Sequence, residues 1–112
     1  MNDEVERIAN RKTLDALANH GDDSRIARVV KHWAFFPSAP ERSFFKSSVL
    51  ARTFELDCEY EIDDCGHPFV ICFTKVQRVT EIAINETTVE LNALAEEYSG
   101  EYDGWETQVE TQ

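Results

Sequence analysis

The sequence has few of the residues that interrupt a chain, with only four glycines and three prolines in 112 residues. The glycines are isolated, so there is no glycine-rich loop of the kind that cradles a phosphate group. No Pro/Gly-rich linker, repeat or low-complexity tract divides the chain. Since this length also matches one domain, we expect a single domain over residues 1–112, with an N-terminal helix within 1–21 packed on it.

Cysteines and long apolar runs are also scarce. The three cysteines, Cys58, Cys65 and Cys72, are too few and odd in number for a disulfide framework, which fits a reducing compartment. No apolar run approaches the length of a membrane span, and the N-terminal segment MNDEVERIANRK is charged throughout, unlike a secretory signal. We therefore expect a cytoplasmic protein with no membrane partner.

Basic residues are nearly absent from the second half of the chain. Residues 54–112 contain fifteen Asp and Glu but only two Lys and Arg, whereas residues 1–53 contain seven Asp and Glu and nine Lys and Arg. The net charges of −13 and +2 give the −11 of the whole chain. Such charge repels nucleic acid and anionic membranes and attracts basic surfaces, such as those of RNA-binding proteins. The alternative is that it only keeps the protein soluble and monomeric.

What the sequence does contain is a regular succession of helical and strand patterns. Capping residues and periodic apolar positions predict helices, and β-branched, aromatic or alternating segments predict strands. Asn85 is predicted to cap the last helix. The predicted helices cover residues 3–19, 40–53 and 86–98, and the predicted strands cover residues 25–36, 54–62, 68–78 and 103–110.

After the first helix the predicted order is β-α-β-β-α-β, which is the ferredoxin-like pattern. This predicts an α+β fold in which two helices cover one face of a four-stranded antiparallel sheet, with an extra N-terminal helix. The usual spatial order of this fold puts the second and fourth strands at the edges. The open face of such a sheet is a common dimer surface, so a homodimer through that face stays open as an alternative.

Both predicted edge strands carry carboxylates, which strict alternation places on the face away from the helices. Such charges block aggregation between strand edges, and they can equally form a partner-binding surface. Four basic residues of the central strands, Arg28, Lys31, His32 and Lys75, are placed to pair with them. The candidates for partner binding are Glu55, Asp57, Glu59 and Glu61 on the second strand and Glu106 on the last.

No motif for catalysis or metal binding stands out. Cys58, Cys65, His67 and Cys72 surround one hairpin, but the cysteines are seven residues apart rather than at the short spacing of zinc sites. The carboxylates of the second strand share one environment, whereas an acid–base pair needs environments that separate the two pKa values. We therefore expect no catalytic residue, no metal and no cofactor.

The segment GEYDGWET, residues 100–107, forms the predicted corner between the last helix and the last strand. Gly100 is expected to end the helix, and Gly104 to permit a tight or bulged entry into the strand. Alternation places Trp105 in the core. Tyr102 and Asp103 then lie at the corner and complete the set of partner-binding candidates.

The C-terminal third, NETTVELNALAEEYSGEYDGWET, resembles the regulator of ribonuclease E activity B family. In that family a helix that ends in Leu-Ala-Glu, here residues 94–96, leads into Tyr-Asp-Gly-Trp, here residues 102–105, and a last strand. Upstream, the first helix with GDD and the strands VVKHWAFF and FVICF come in the same order. The resemblance covers roughly residues 10–110.

The resemblance implies a ferredoxin-like, cytoplasmic bacterial protein that binds the endonuclease ribonuclease E and inhibits its RNA processing, without catalytic activity of its own. An acidic inhibitor that docks on a basic, RNA-associated protein also makes electrostatic sense. The expected partner is ribonuclease E or another basic RNA-associated protein, with no direct binding of nucleic acid. An immunity-type or other interaction protein of the same fold, with a different basic partner, is the alternative.

Overall fold

The elements follow the predicted β-α-β-β-α-β order after one N-terminal helix. The computed structural model describes residues 3–64 and 66–111, so Cys65, predicted to lie in the hairpin turn, is outside the described residues. The helices are α1 (Asp3–Asn19), α2 (Ala39–Ala51) and α3 (Glu81–Glu97), and the strands are β1 (Arg28–Phe36), β2 (Glu55–Glu61), β3 (Phe69–Gln77) and β4 (Glu101–Glu106).

The four strands form one antiparallel sheet in the order β2-β3-β1-β4. The edge strands are therefore β2 and β4, as the ferredoxin-like order predicts. The α+β class with a four-stranded antiparallel sheet and an extra N-terminal helix is confirmed.

The start of α3 differs from the prediction. The helix begins at Glu81 because Thr80 is its N-cap, and the Thr80 hydroxyl accepts a hydrogen bond from the backbone amide of Ala83 at 3.3 Å. Asn85, predicted as the cap, lies inside the helix instead. Its side-chain oxygen accepts a hydrogen bond of 2.9 Å from Asn10 of α1.

The end of β4 also differs, since the strand stops at Glu106 rather than at residue 110. Beyond that point other hydrogen bonds hold the chain beside β1. The Thr107 hydroxyl donates to the Val29 carbonyl at 2.8 Å, and the Arg28 guanidinium donates to the Gln108 carbonyl at 3.1 Å.

The main core lies between the sheet and the helices α2 and α3. Alternate residues of β1 are fully buried on the helix side of the sheet, and these are Val30, His32, Ala34 and Phe36. The uninterrupted apolar run PFVICF predicts that β3 is buried, or nearly so, on both faces. The four consecutive residues 70–73 are indeed all buried. The aromatic rings of Phe36, Phe45 and Phe73 form the centre of the main cluster. The centroid of the Phe45 ring lies 4.8 Å from that of Phe36 and 5.4 Å from that of Phe73.

Helix α1 lies against α3 and β4. Leu14 and Leu17 pack on a small second cluster that contains Ile84, whereas Val5 and Ile8 stay exposed. The apolar stripe of this helix therefore reaches the core only in its second half. Helix α1 thus lies on the outside of the domain rather than at its centre.

A buried amide joins α1 to its two neighbours. Asn10 donates a hydrogen bond to the Thr88 hydroxyl of α3 at 2.8 Å, and its oxygen accepts one from the indole nitrogen of Trp105 in β4 at 2.8 Å. Since α1, α2 and α3 all pack on the same side, the opposite face of the sheet is left without a covering element among the described residues.

Candidate interaction surface

We call the sheet face opposite the helices the open face. Directly opposed residues of antiparallel strands share a face, so the residues of β1 that alternate with the core residues, and their partners in β3, lie on it. The central strands contribute Val29, Lys31, Trp33, Phe35, Val70, Cys72, Thr74 and Val76 to this face.

The open face combines a buried floor with exposed apolar side chains near its ends. Val70 and Cys72 are buried, while Val76 is 66% exposed and Val29 is 57% exposed. Tyr60 of β2, which is opposite Val70, is 43% exposed. A groove of about 770 Å³ runs along one end of the face. Clustered exposed apolar groups of this kind mark interaction sites.

A β-bulge in β2 changes the face on which half of its carboxylates lie. The register with β3 shifts between Leu56 and Cys58, which leaves Asp57 as the extra residue. Because side chains alternate with a period of two, one extra residue moves every later side chain to the other face. The prediction of a single face is therefore wrong for Glu55, Asp57, Glu59 and Glu61.

Glu55 and Asp57, before and at the bulge, lie on the open face. Glu59 and Glu61, after the bulge, lie on the side of the helices. There Glu59 forms an ion pair with Lys46 of α2, with 3.1 Å between Oε1 and Nζ. The predicted partner-binding row is thus divided between two surfaces.

Lys31 connects the acidic edge of the open face with its aromatic centre. Its Nζ lies 2.9 Å from Asp57 Oδ2 and 5.0 Å from the centroid of the Trp33 ring. The hydrogen bond with Asp57 raises the pKa of Lys31. The predicted pairing of a central cation with an edge carboxylate is confirmed here, whereas Arg28 and His32 are buried and face the helices.

Tyr102 is not a surface residue, because it is only 4% exposed and lies opposite Ala34 on the helix side of the sheet. The prediction of a surface role for this side chain is wrong. The register between β1 and β4 shifts at Asp103, next to Gly104 with its φ of 140°. This bulge confirms the role predicted for Gly104, and it turns Tyr102 inward together with Trp105.

Asp103 and Glu106 are both exposed, but they lie on different surfaces of the protein. Asp103 lies in the bulge and lines a groove of about 320 Å³ between α1 and β4. Glu106 lies opposite Lys31 on the open face. Among the predicted candidates, the structure therefore brings together Glu55, Asp57 and Glu106 on the open face and leaves Asp103 at its flank.

The buried imidazole of His32 holds Tyr102 in the core. The Tyr102 hydroxyl oxygen lies 2.8 Å from His32 Nδ1, and the imidazole stacks on Phe73 with the ring centroids 5.4 Å apart. His32 Nε2 has no hydrogen-bond partner in the described part of the chain. Burial lowers the pKa of His32 from 6.5 to about 4, and burial raises the pKa of Tyr102. Both side chains are therefore neutral at pH 7, which suits a structural role.

Acidification should destabilise the folded protein through His32. An imidazole with a pKa near 6.5 in the unfolded chain and about 4 in the folded protein binds its proton more readily when the chain unfolds. Its contribution to stability is complete above pH 6.5 and is lost as the pH falls through 4. At pH 5 the expected loss in the free energy of unfolding is about 2 kcal/mol, which urea unfolding at pH 7 and pH 5 measures.

The variant His32→Gln is the control for this pH dependence, because glutamine cannot titrate. It should be less stable than the parent at pH 7 but should lose clearly less stability between pH 7 and pH 5. An equal loss in the two proteins would assign the effect to other groups.

The sequence analysis predicted the acidic borders of the open face but not its apolar centre. The signal was present in β1, RVVKHWAFF, where both alternating sets of residues contain large apolar side chains. Trp33 and Phe35 belong to one set, and Ala34 and Phe36 to the other. A strand of this kind is apolar on two faces, and only one face meets the helices.

Within residues 3–64 and 66–111, no three His, Cys, Asp or Glu side chains are placed so that they could hold a metal ion. None of the helices formed by these residues is long and apolar enough to cross a membrane.

The comparison with known families covers nearly the whole fold described above. A search of curated proteins found no match to the chain. The family described as regulator of ribonuclease activity B matches residues 7–107, a range that contains α2, α3 and all four strands. The protein therefore belongs to the regulator of ribonuclease activity B family.

Proposed function

We propose that this protein is a non-enzymatic cytoplasmic inhibitor of ribonuclease E, and that it binds the enzyme through the open face of its sheet. Membership in a family of regulators of ribonuclease activity supports the regulatory role. The observation that carries the choice of surface is the open face itself, where an apolar and aromatic centre is bordered by carboxylates on both edge strands.

The centre of the open face suits a protein partner. Protein interfaces have an apolar core rich in aromatic residues, surrounded by a polar rim. Trp33 and Tyr60 are the residue types that most often dominate binding energy in such cores. Gly104 lies opposite Trp33 in β4 and carries no side chain, so the flank of the indole is accessible from that edge.

The borders of the open face favour a basic partner. Glu55 and Asp57 lie along β2, and Glu101 and Glu106 lie along β4, with Lys31 already paired to Asp57. Charges of one sign accelerate association with an oppositely charged surface, and salt weakens this effect. A symmetric homodimer would bring the same carboxylates of two copies together, so self-association through this face is disfavoured.

Reversing charge on the open face should weaken the complex. In the double variant Glu55→Lys/Glu106→Lys, both substitutions lie at the border of the proposed contact surface. We expect the affinity for ribonuclease E to fall at least about tenfold at low ionic strength, with a smaller difference at high salt. Binding titrations at two salt concentrations measure this, and RNA cleavage rates should show a matching loss of inhibition.

The matched control is Glu61→Lys/Glu97→Lys, which changes the net charge equally but leaves the open face unaltered. Glu61 lies on the helix side of β2, and Glu97 is exposed at the end of α3. This control should retain nearly the parent affinity. Equal weakening by both pairs would reject the open face as the contact surface. Absence of binding and of inhibition by the parent protein would reject ribonuclease E as the partner.

A further inference from the structure

Two free thiols face each other across the edge of the sheet. Cys58 of β2 and Cys72 of β3 are direct partners in the register, immediately after the bulge at Asp57. The Cα atoms of directly opposed residues in antiparallel strands are about 4.5–5.5 Å apart. This separation lies inside the range that a disulfide spans, so the register is compatible with a bond between the two sulfur atoms.

The environments of the two thiols differ. Cys58 is half-buried, whereas Cys72 is buried behind it. Burial is the main reason that the pKa of Cys72 is raised to about 12, and a hydrogen bond between the Cys72 thiol and the neighbouring Cys58 side chain adds to this effect. A reagent in solution therefore reaches Cys58 first. Cys72 is positioned to react with the mixed disulfide that forms on Cys58.

We propose that Cys58 and Cys72 are a reversible disulfide site that small-molecule disulfides, such as oxidised glutathione, oxidise through Cys58. Both thiols lie on the open face. The reaction itself needs only the register of β2 and β3 and takes place without a bound ribonuclease, so its test does not depend on the proposed function.

The reaction is a two-step thiol–disulfide exchange. Cys58 loses its proton to solvent, and its sulfur attacks one sulfur of the oxidant, which forms a mixed disulfide and releases one thiolate. Cys72 then gives up its proton, and its sulfur attacks Cys58 Sγ, which releases the second thiolate. Two cysteine thiols are oxidised and one small disulfide is reduced to two thiols, which take up the two protons.

The crosslink would connect an edge strand to a central strand. Opening of β2 at the sheet edge separates the segment that carries Glu55 and Asp57 from β3. A bond between Cys58 and Cys72 prevents that separation beside the bulge. The oxidised protein should therefore show slower hydrogen exchange in β2 and a higher melting temperature than the reduced protein.

The test uses the full chain with Cys65→Ser, so that Cys58 and Cys72 are the two remaining thiols. The protein is equilibrated with mixtures of reduced and oxidised glutathione, then alkylated and examined by mass spectrometry and peptide mapping. We expect an internal disulfide between residues 58 and 72. Its equilibrium constant in the folded protein should exceed that in concentrated urea by at least about thirtyfold, the lower end of what a native disulfide contributes.

Three outcomes would overturn the proposal. One is a glutathione adduct on Cys58 that persists without closure to Cys72. Another is the absence of oxidation at a ratio of glutathione forms that oxidises the urea-unfolded chain. The third is an equilibrium constant no larger in the folded protein than in urea. Cys58→Ser in the same background confirms the route, because its buried Cys72 should then stay unmodified.

Discussion

Replacing Gly100 with alanine should destabilise the protein by about 3 kcal/mol or more, the upper end of the usual cost of overpacking a core. A Cβ atom at this position would collide with two ring carbons of Phe36 and would lie 2.7 Å from the carbonyl oxygen of Phe35. Phe36 is fully buried, so its ring cannot move aside, and the carbonyl belongs to the backbone of β1. Urea unfolding of purified protein, together with the soluble yield, measures the effect.

Gly66→Ala is the matched control for this substitution. Nothing lies within 4 Å of a Cβ built at Gly66, and this residue is exposed. We expect a change within about 0.5 kcal/mol, as for ordinary surface substitutions. If Gly100→Ala lowered the free energy of unfolding as little as Gly66→Ala, this would contradict the close approach of the α3–β4 corner to Phe36.

The requirement at Gly100 is one of space and not of backbone conformation. The sequence predicted that Gly100 ends the last helix, yet α3 ends at Glu97 and the residue with a left-handed φ is Ser99, at 63°. The backbone amide of Gly100 donates to the Ala95 carbonyl at 2.8 Å. Glycine is needed there because the turn after the helix presses directly on a core phenylalanine.

Replacing Arg28 with methionine should cost about 3–5 kcal/mol, because it leaves the Asp22 carboxylate buried without its cation. The guanidinium and the carboxylate form an ion pair in which each side chain is only 3% exposed. Arg28 also donates to the carbonyl oxygens of Asp23, Ile26 and Gln108. The same Asp22 carboxylate accepts a hydrogen bond from the Glu110 amide at 2.8 Å.

The buried pair thus fastens the segment after α1 and the segment after β4 to the start of β1. Loss of the pair should release residues 107–110 as well as lower the stability. Hydrogen exchange should therefore increase at the Glu110 amide before it increases in the centre of the sheet.

Arg25→Met provides a comparison within the same loop. Arg25 also forms an ion pair with an aspartate, at 3.0 Å from Asp23 Oδ2, but its side chain is 75% exposed. An exposed pair contributes between about zero and 1 kcal/mol, so this variant should be nearly as stable as the parent. Comparable losses in Arg25→Met and Arg28→Met would contradict the structural role assigned to the buried pair.

Several elements of the fold were predictable because they depend on neighbours in the sequence. Ser38 is followed three residues later by Glu41, the spacing of a capping box, which predicts a helix start there. Ser38 does cap α2, by accepting a hydrogen bond from the Glu41 amide at 3.3 Å. The apolar run in β3 indicated burial on two faces. The bulge in β4 was predictable because Gly104 marks it, as only glycine readily adopts its φ of 140°.

The bulge in β2 contains no glycine that would indicate it in the sequence. The segment ELDCEYE alternates without interruption, so its sequence is compatible with a strand of regular register. The extra residue at Asp57 arises from the pairing with β3. For this reason the acidic character of the edge was predictable, whereas the division of its carboxylates between two faces was not.

The sequence by itself determined the order of elements, the class of fold, the acidic character of both edge strands and the resemblance to the family. Only the tertiary structure decided that Tyr102 is buried against His32, that Glu59 pairs with Lys46, and that Trp33 lies on an open aromatic face. The physical reason is that periodicity and caps act within a few residues. The face on which a side chain lies depends on hydrogen-bond register between strands that are distant along the chain, and one extra residue in a strand inverts it.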